Sequence, residues 1–197
     1  MLESVQVEFC GLGGQGILLM GGLLGEAAVR EGAWVAGSNS YGAQARGSGC
    51  RAELVLANEP VDFPHVLRAD LLVAMSQEAY ELYLPGLAAE GLVVCDRPGV
   101  APASGEARLH LPVPATATAV ERFKSRQVAN MVLLGAVACV TGLVSRDALL
   151  EAVAAGVQPR FRELNTGALQ AGFALGEEAR GSGGEALRRW RERLGLV

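Results

Sequence analysis

Val5-Gln6-Val7-Glu8-Phe9-Cys10-Gly11-Leu12-Gly13-Gly14-Gln15-Gly16-Ile17-Leu18-Leu19-Met20 is the stretch on which the fold turns. Its first six residues alternate apolar and polar, the period of a strand. Residues 11–16 break that period, and residues 17–30 continue at helical spacing, with small residues where a helix must lie close to a sheet. A strand, a glycine-rich turn and a helix in succession open an α/β fold.

Further strands are expected at 33–37, 51–57, 71–75, 92–95 and 109–113, the last interrupted by Pro112 and followed by Pro114. The unbroken apolar run at 71–75 reads as a strand buried on both faces, and Ser76 can cap a helix starting at Gln77. Residues 38–49 form a polar, glycine-rich loop, long enough for a functional role. Beyond residue 114 the pattern turns helical, at 116–123, 127–141, 146–155, 161–174 and 184–194. The expected architecture is a largely parallel sheet flanked by helices, with a helical C-terminal third. Residues 1–180 read as one domain, and 181–197 as a short linker and C-terminal helix joined at Gly181-Ser182-Gly183-Gly184.

Composition removes several function classes. The chain has 197 residues, half of them hydrophobic, with 19% charged and 5% aromatic residues and a net charge of −4. That is too apolar and too weakly charged for a disordered chain. It lacks the aromatics and basic groove of a single-strand nucleic-acid binder, and no global field draws it to nucleic acid or anionic membranes. The apolar runs fall short of the roughly 20 residues of a membrane span, and Met1-Leu2-Glu3-Ser4 does not open a signal peptide. Cys10, Cys50, Cys95 and Cys139 lie about 40 residues apart, in or beside apolar runs and without a CxxC. Buried free thiols in a reducing cytoplasm are the expectation. Clusters and zinc need grouped ligands, and His65 and His110 are isolated in sequence, so no metal is expected on this chain.

Gly11, Gly13 and Gly16 satisfy GxGxxG between a strand and a helix. Backbone N–H groups and a positive helix end can approach a phosphate where no Cβ intrudes. Classical dinucleotide binding also wants an acid at the end of the second strand, and Gly37-Ser38-Asn39 has none. Three readings stay open at this point: a tight turn with close helix–sheet packing, a phosphate site, and a seat for an extended partner segment.

Taken with three later elements, the loop resembles a family. Gly11-Leu12-Gly13-Gly14-Gln15-Gly16 is similar to the GxGGQG opening of the gamma subunit of 2-oxoacid:ferredoxin oxidoreductases. Ser40-Tyr41-Gly42-Ala43-Gln44-Ala45-Arg46-Gly47 resembles its SYGxxxRGG element, with Ser48 where the family carries a second glycine. Asn130 to Gly135 resembles its NxxxLG helix, and Asn165 to Gly172 its C-terminal element. The four occur in family order. The resemblance implies a Rossmann-like α/β subunit of an enzyme that oxidatively decarboxylates a 2-oxo acid to acyl-CoA and passes electrons to ferredoxin. It implies alpha, beta and delta partner subunits carrying thiamine diphosphate, Mg2+ and iron–sulfur clusters, with coenzyme A as co-substrate. It places Gly11, Gly13, Gly14, Gln15, Gly16, Ser40, Tyr41, Arg46 and Gly47 at a subunit interface or on the cofactor side.

Other residues carry weaker signals. Arg46 can pair with a phosphate or a partner carboxylate, with Tyr41 and Gln44 as contact residues. Arg122, Lys124 and Arg126 form a positive run suited to the phosphates of coenzyme A. Asn130 and Asn165 stand in apolar helices and are expected to tie each helix to a loop. His65 reads as a loop residue, and the helix around Trp190 as a terminal helix or a dock for another subunit. No catalytic residue is nominated. The competing reading is a free-standing nucleotide- or dinucleotide-binding domain. Some of the apolar surface is expected to await other subunits, so that the lone chain self-associates, for instance as a homodimer.

Overall fold

Six strands, β1 (Val5–Leu12), β2 (Trp34–Tyr41), β3 (Gly49–Ala57), β4 (Ala69–Ala74), β5 (Leu87–Asp96) and β6 (Leu109–Val113), make one sheet in the order β2-β3-β1-β4-β5-β6. The helices are α1 (Ile17–Arg30), α2 (Gln77–Tyr83), α3 (Ala115–Phe123), α4 (Ala129–Thr141), α5 (Arg146–Gly156) and α6 (Pro159–Arg193). The computed structural model describes residues 4–41, 49–102 and 105–196.

The β1, β4, β5 and β6 ladders are parallel, as the strand–helix alternation requires. β3 is the exception, antiparallel to both β1 and β2. Its direction follows from its tether: β2 ends at Tyr41 and β3 starts at Gly49, too short a span for a parallel crossover, which takes a dozen residues or more. The β2–β3 ladder therefore continues through Ser40–Arg51 and Tyr41–Cys50, and residues expected in the 38–49 loop become strand at both ends. β6 lies at the sheet edge, where Pro112 is tolerated.

Alternation along the strands divides the core in two. Val5, Val7 and Phe9 of β1, with Leu71, Val73, Leu92 and Val94, face α1, α4 and α6. Cys10, Leu72, Ala74, Val93 and Cys95 face the other way, toward α2 and its buried Tyr80. α1 lies close to the sheet because Gly21 leaves room: a Cβ there would come within 2.8 Å of the Ala52 methyl. Ser76 caps α2 by accepting the Ala79 N–H at 3.3 Å.

α4 is buried along all 13 of its residues, the condition in which a helix is apolar all round. It crosses α6 with backbone against backbone. A Cβ on Gly135 would run into the Leu169 carbonyl, and one on Gly172 into the Val132 carbonyl. Gly176 repeats the contact a turn later, 2.6 Å from the Cys139 Cβ.

α6 breaks at Gly184 (φ 50°, ψ −136°), inside the glycine-rich joint. The segment beyond it seats on the chain's own sheet. Leu187, Trp190 and Leu194 are buried. The Trp190 indole N–H donates to the Asp70 carbonyl at 3.1 Å, and Arg193 reaches the Asp70 carboxylate at 3.2 Å. The same carboxylate accepts the Gln6 N–H at 3.0 Å, which ties the starts of β1 and β4 to the tail.

The α4–α6 crossing makes a direct prediction. Gly172→Ala must push two backbones apart and is expected to cost at least ~3 kcal/mol of unfolding free energy in a urea titration. Gly181→Ala is the control: nothing lies within 4 Å of its Cβ position, so helix propensity alone acts and stabilises by up to ~1 kcal/mol.

Candidate functional site

The glycine loop leaves the C-terminal end of β1 and is braced from within. The Leu12 N–H donates to Gln15 Oε1 at 2.6 Å, and Gln15 Nε2 donates to the Met75 carbonyl at 3.0 Å. Gln15 thus spends its side-chain amide on the loop and on the end of β4. Gly16 precedes α1 in the left-handed region, φ 77°, and a Cβ on it would collide with the side-chain amide of Asn130. Asn130 is buried at the start of α4, where its Oδ1 accepts the Met131 N–H at 2.9 Å and its Nδ2 points at the Gly16 carbonyl, 3.5 Å away. It therefore ties a helix to a loop, as expected. Asn165 does not: its Nδ2 donates to the Phe161 carbonyl of its own helix at 2.7 Å.

Beside the loop is a crevice of about 180 Å³ lined by Gly14, Gln15, Met75, Thr116, Arg126, Gln127 and Ala129. It opens at the carboxyl ends of β1 and β4, where open α/β sheets receive ligands. α1 starts just beyond the loop, with neither a side-chain cap nor an acidic residue in its first turn; its Leu18 N–H faces the Cys50 thiol rather than the crevice. Asp96, buried at the end of β5, holds the far wall: its carboxylate accepts the Thr116 N–H at 2.9 Å and also the Thr116 hydroxyl. Arg126 is exposed and makes no ion pair among the described residues. Two features of the crevice therefore suit a phosphate: a glycine backbone at Gly14 and a guanidinium.

Of the residues singled out in the sequence, Gly13, Gly14, Gln15 and Gly16 lie together in this loop, while Gly11, expected in the turn, is still strand and pairs with Cys50. Ser40 and Tyr41 end β2, and the ladder row Tyr41–Cys50–Gly11 puts them at the same end of the sheet. β3 intervenes, however, so β2 runs two strand spacings, ~10 Å, from β1. Tyr41 is 71% exposed. Gln44, Arg46 and Gly47 lie outside the described residues. Burial lifts the Cys95 thiol to about 12, with Asp96 adding to it, and burial likewise raises Cys10. Neither is a nucleophile at neutral pH. Among the described residues no group of three or more His, Cys, Asp or Glu could hold a metal ion, and no helix is long and apolar enough to cross a membrane.

One polar cluster escaped the sequence reading. Glu8 of β1 and Glu53 of β3 face each other across the antiparallel ladder, each only 4% exposed. Arg51 lies between them, 3.6 Å from Glu8 and 3.4 Å from Glu53, with its guanidinium over the Tyr83 ring. The Ser38 hydroxyl donates to Glu53 at 2.5 Å, and His65 Nδ1 lies 3.1 Å from Ser38 and 3.4 Å from Glu53. His65 is thus a loop residue held against the sheet. Among the described residues, Glu8 Oε1 and Arg51 Nε are buried without a hydrogen-bond partner. A polar residue in an alternating strand reads as facing solvent, and only the β1–β3 pairing reveals the second carboxylate.

Burial pushes the Glu8 carboxyl up from 4.5 to about 7, against the pull of Arg51 and with help from Glu53. The folded chain therefore holds this proton more tightly than the unfolded chain. Stability from this group is full below pH 4.5 and is lost as pH climbs toward 7, by ~3 kcal/mol in all. Glu8→Gln is expected to flatten that slope and to exceed the wild type in stability above pH 7. Urea titrations of both chains at pH 5 and pH 8 check it; parallel pH profiles would refute the assignment.

The comparisons with known proteins bear on the family and the fold. The family model described as pyruvate ferredoxin/flavodoxin oxidoreductase matches residues 6–175. The 2-oxoglutarate synthase subunit KorC of Methanothermobacter thermautotrophicus is 39% identical over 177 residues, covering 86% of this chain and 94% of that protein. The gamma subunit of a keto/oxoacid ferredoxin oxidoreductase from Geobacter sulfurreducens superposes with a TM-score of 0.77 at 32% identity, over 88% of this chain and 99% of that one. The 2-oxoglutarate:ferredoxin oxidoreductase from Magnetococcus marinus, solved with 2-oxoglutarate, coenzyme A and succinyl-CoA bound, gives 0.81 at 25% identity, over 89% of this chain and 31% of the larger one. With the fold, the glycine loop and the match all in place, the chain belongs to the gamma subunits of the 2-oxoacid:ferredoxin oxidoreductases.

Proposed function

We propose that this gamma subunit supplies the coenzyme A side of the active centre in a cytoplasmic complex with alpha, beta and delta chains. The complex converts a 2-oxo acid and coenzyme A to acyl-CoA and carbon dioxide, passing two electrons to ferredoxin. Thiamine diphosphate, Mg2+ and iron–sulfur clusters belong to the partner chains in this reading. The similarity to KorC and to the Magnetococcus marinus enzyme favours 2-oxoglutarate as the 2-oxo acid.

The observation that carries the coenzyme A role is the crevice where the glycine loop meets Arg126. Coenzyme A brings a pyrophosphate and a 3′-phosphate, and the crevice offers them a glycine backbone and a guanidinium without a carboxylate partner among the described residues. Gly14 gives the backbone close approach, Arg126 pairs with phosphate oxygen, and Asp96 keeps Thr116 turned into the wall. None of these groups is placed to move a proton or attack carbon, so the subunit binds and orients. Gly11, Gly13, Gln15 and Gly16 shape the loop. Ser40, Tyr41, Arg46 and Gly47 serve the neighbouring subunit interface, and apart from its partners the chain pairs with itself.

In the assembled enzyme, Arg126→Gln is expected to raise KM for coenzyme A by about tenfold while kcat stays within about twofold, the signature of lost uniform binding. Steady-state acyl-CoA formation at varied coenzyme A measures both. An unchanged KM would remove Arg126 from the site, and a complex fully active without this chain would refute the reading as a whole.

A further inference from the structure

The end of α3 and the start of α6 enclose an open groove of about 910 Å³, apart from the coenzyme A crevice in its lining residues. Phe123 and Leu164 supply apolar lining, and Arg160 and Arg162 stand along it. The Arg122 guanidinium lies 5.9 Å over the Phe123 ring, and that of Arg160 lies 4.6 Å over Phe161, which is 43% exposed. Lys124 follows in the left-handed region at φ 53°, its ammonium on the Glu121 carbonyl at 2.8 Å.

Charge sets this groove apart. Arg122, Lys124, Arg160 and Arg162 are all exposed, and none makes an ion pair among the described residues. Elsewhere on the surface Arg30, Arg146, Arg188 and Arg193 each hold a carboxylate, whereas Arg68, Arg97, Arg126 and Arg180 hold none among the described residues; what distinguishes the groove is that four such cations gather around it. Among the described residues Glu163 is the one carboxylate lining the groove. In a chain of net charge −4 this is a segregated positive field, and such a field steers and orients an acidic partner. A small-molecule site would draw convergent polar groups into an enclosed cleft. Here the cations are solvent-facing and spread along an open trough beside exposed aromatic surface, the composition of a protein interface, where Arg and aromatics are enriched.

We propose that this groove docks an acidic segment of another subunit of the complex, its carboxylates paired with Lys124, Arg160 and Arg162 and its apolar side chains on Phe123 and Phe161. The proposal rests on the chain being a subunit of the complex and is independent of the coenzyme A crevice.

The test measures binding of the purified chain to the alpha, beta and delta chains prepared without it, from low to high salt. Wild-type affinity is expected to fall as salt rises. The double variant Arg160→Glu/Arg162→Glu is expected to bind at least ~10-fold more weakly at low salt, with a flatter salt dependence, and Arg160→Gln/Arg162→Gln to fall between. Coincident thermal melts confirm that these exposed substitutions leave the fold intact. Wild-type affinity and salt slope in the double variant would overturn the proposal. So would intact assembly with a raised KM for coenzyme A, which would make the groove a coenzyme site. Failure of the wild-type chain itself to bind would refute the subunit reading, and this inference with it.

Discussion

The contact of Gly135 with Gly172 is the constraint from which the rest of the chain takes its position. Two helices meet backbone to backbone there, with no side chain between them, so α4 can be enclosed on every side. An enclosed helix has little freedom to slide or rotate in a close-packed interior. Its first turn then carries Asn130 to one place, against Gly16, and Gly16 accepts that approach because it has no Cβ. The geometry of the crevice is thus set in part by the packing of α4, which also lines it through Ala129. Two stretches distant in the chain, the glycine loop and the α4–α6 pair, act as one mechanical unit.

The opposite end of the sheet is closed by a different device. Asp70 takes a backbone N–H from β1, an indole N–H at its carbonyl and a guanidinium from the tail. These bonds hold the last helix under the starts of β1 and β4. The crevice opens at the carboxyl ends of β1 and β4, while the tail covers their amino ends. The parallel strands create that asymmetry, since loops leaving their carboxyl ends all gather on one side.

Much of this arrangement is visible in one dimension. The change of period at Gly11 predicts β1, the turn and α1 from local residues alone, and α1 spans 17–30 as the pattern requires. Asn130 could be recognised as a buried tie because an amide in an apolar run needs a partner. Asn165 defeats the same argument, since a helix offers its own carbonyl four residues back. β3 and the Glu8–Glu53 pair depend on which strand lies beside which, and hydrophobic period contains no such information. A short tether reverses β3, and that reversal places Arg51 between two carboxylates that alternation alone would send to solvent.

The buried polar groups of the described residues are committed within the fold. The Glu8 carboxyl faces Glu53 and Arg51 in the β1–β3 ladder and does not line the crevice. Cys10 and Cys95 are held as neutral thiols, and Thr116 is bound to Asp96. What stays uncommitted among the described residues is a glycine backbone at Gly14 and guanidinium groups without carboxylate partners. Those groups recognise phosphate and carboxylate, and they hold what they bind without altering it. In the role proposed for it, the subunit would contribute to turnover through orientation, holding coenzyme A still while groups on other chains carry the bond changes.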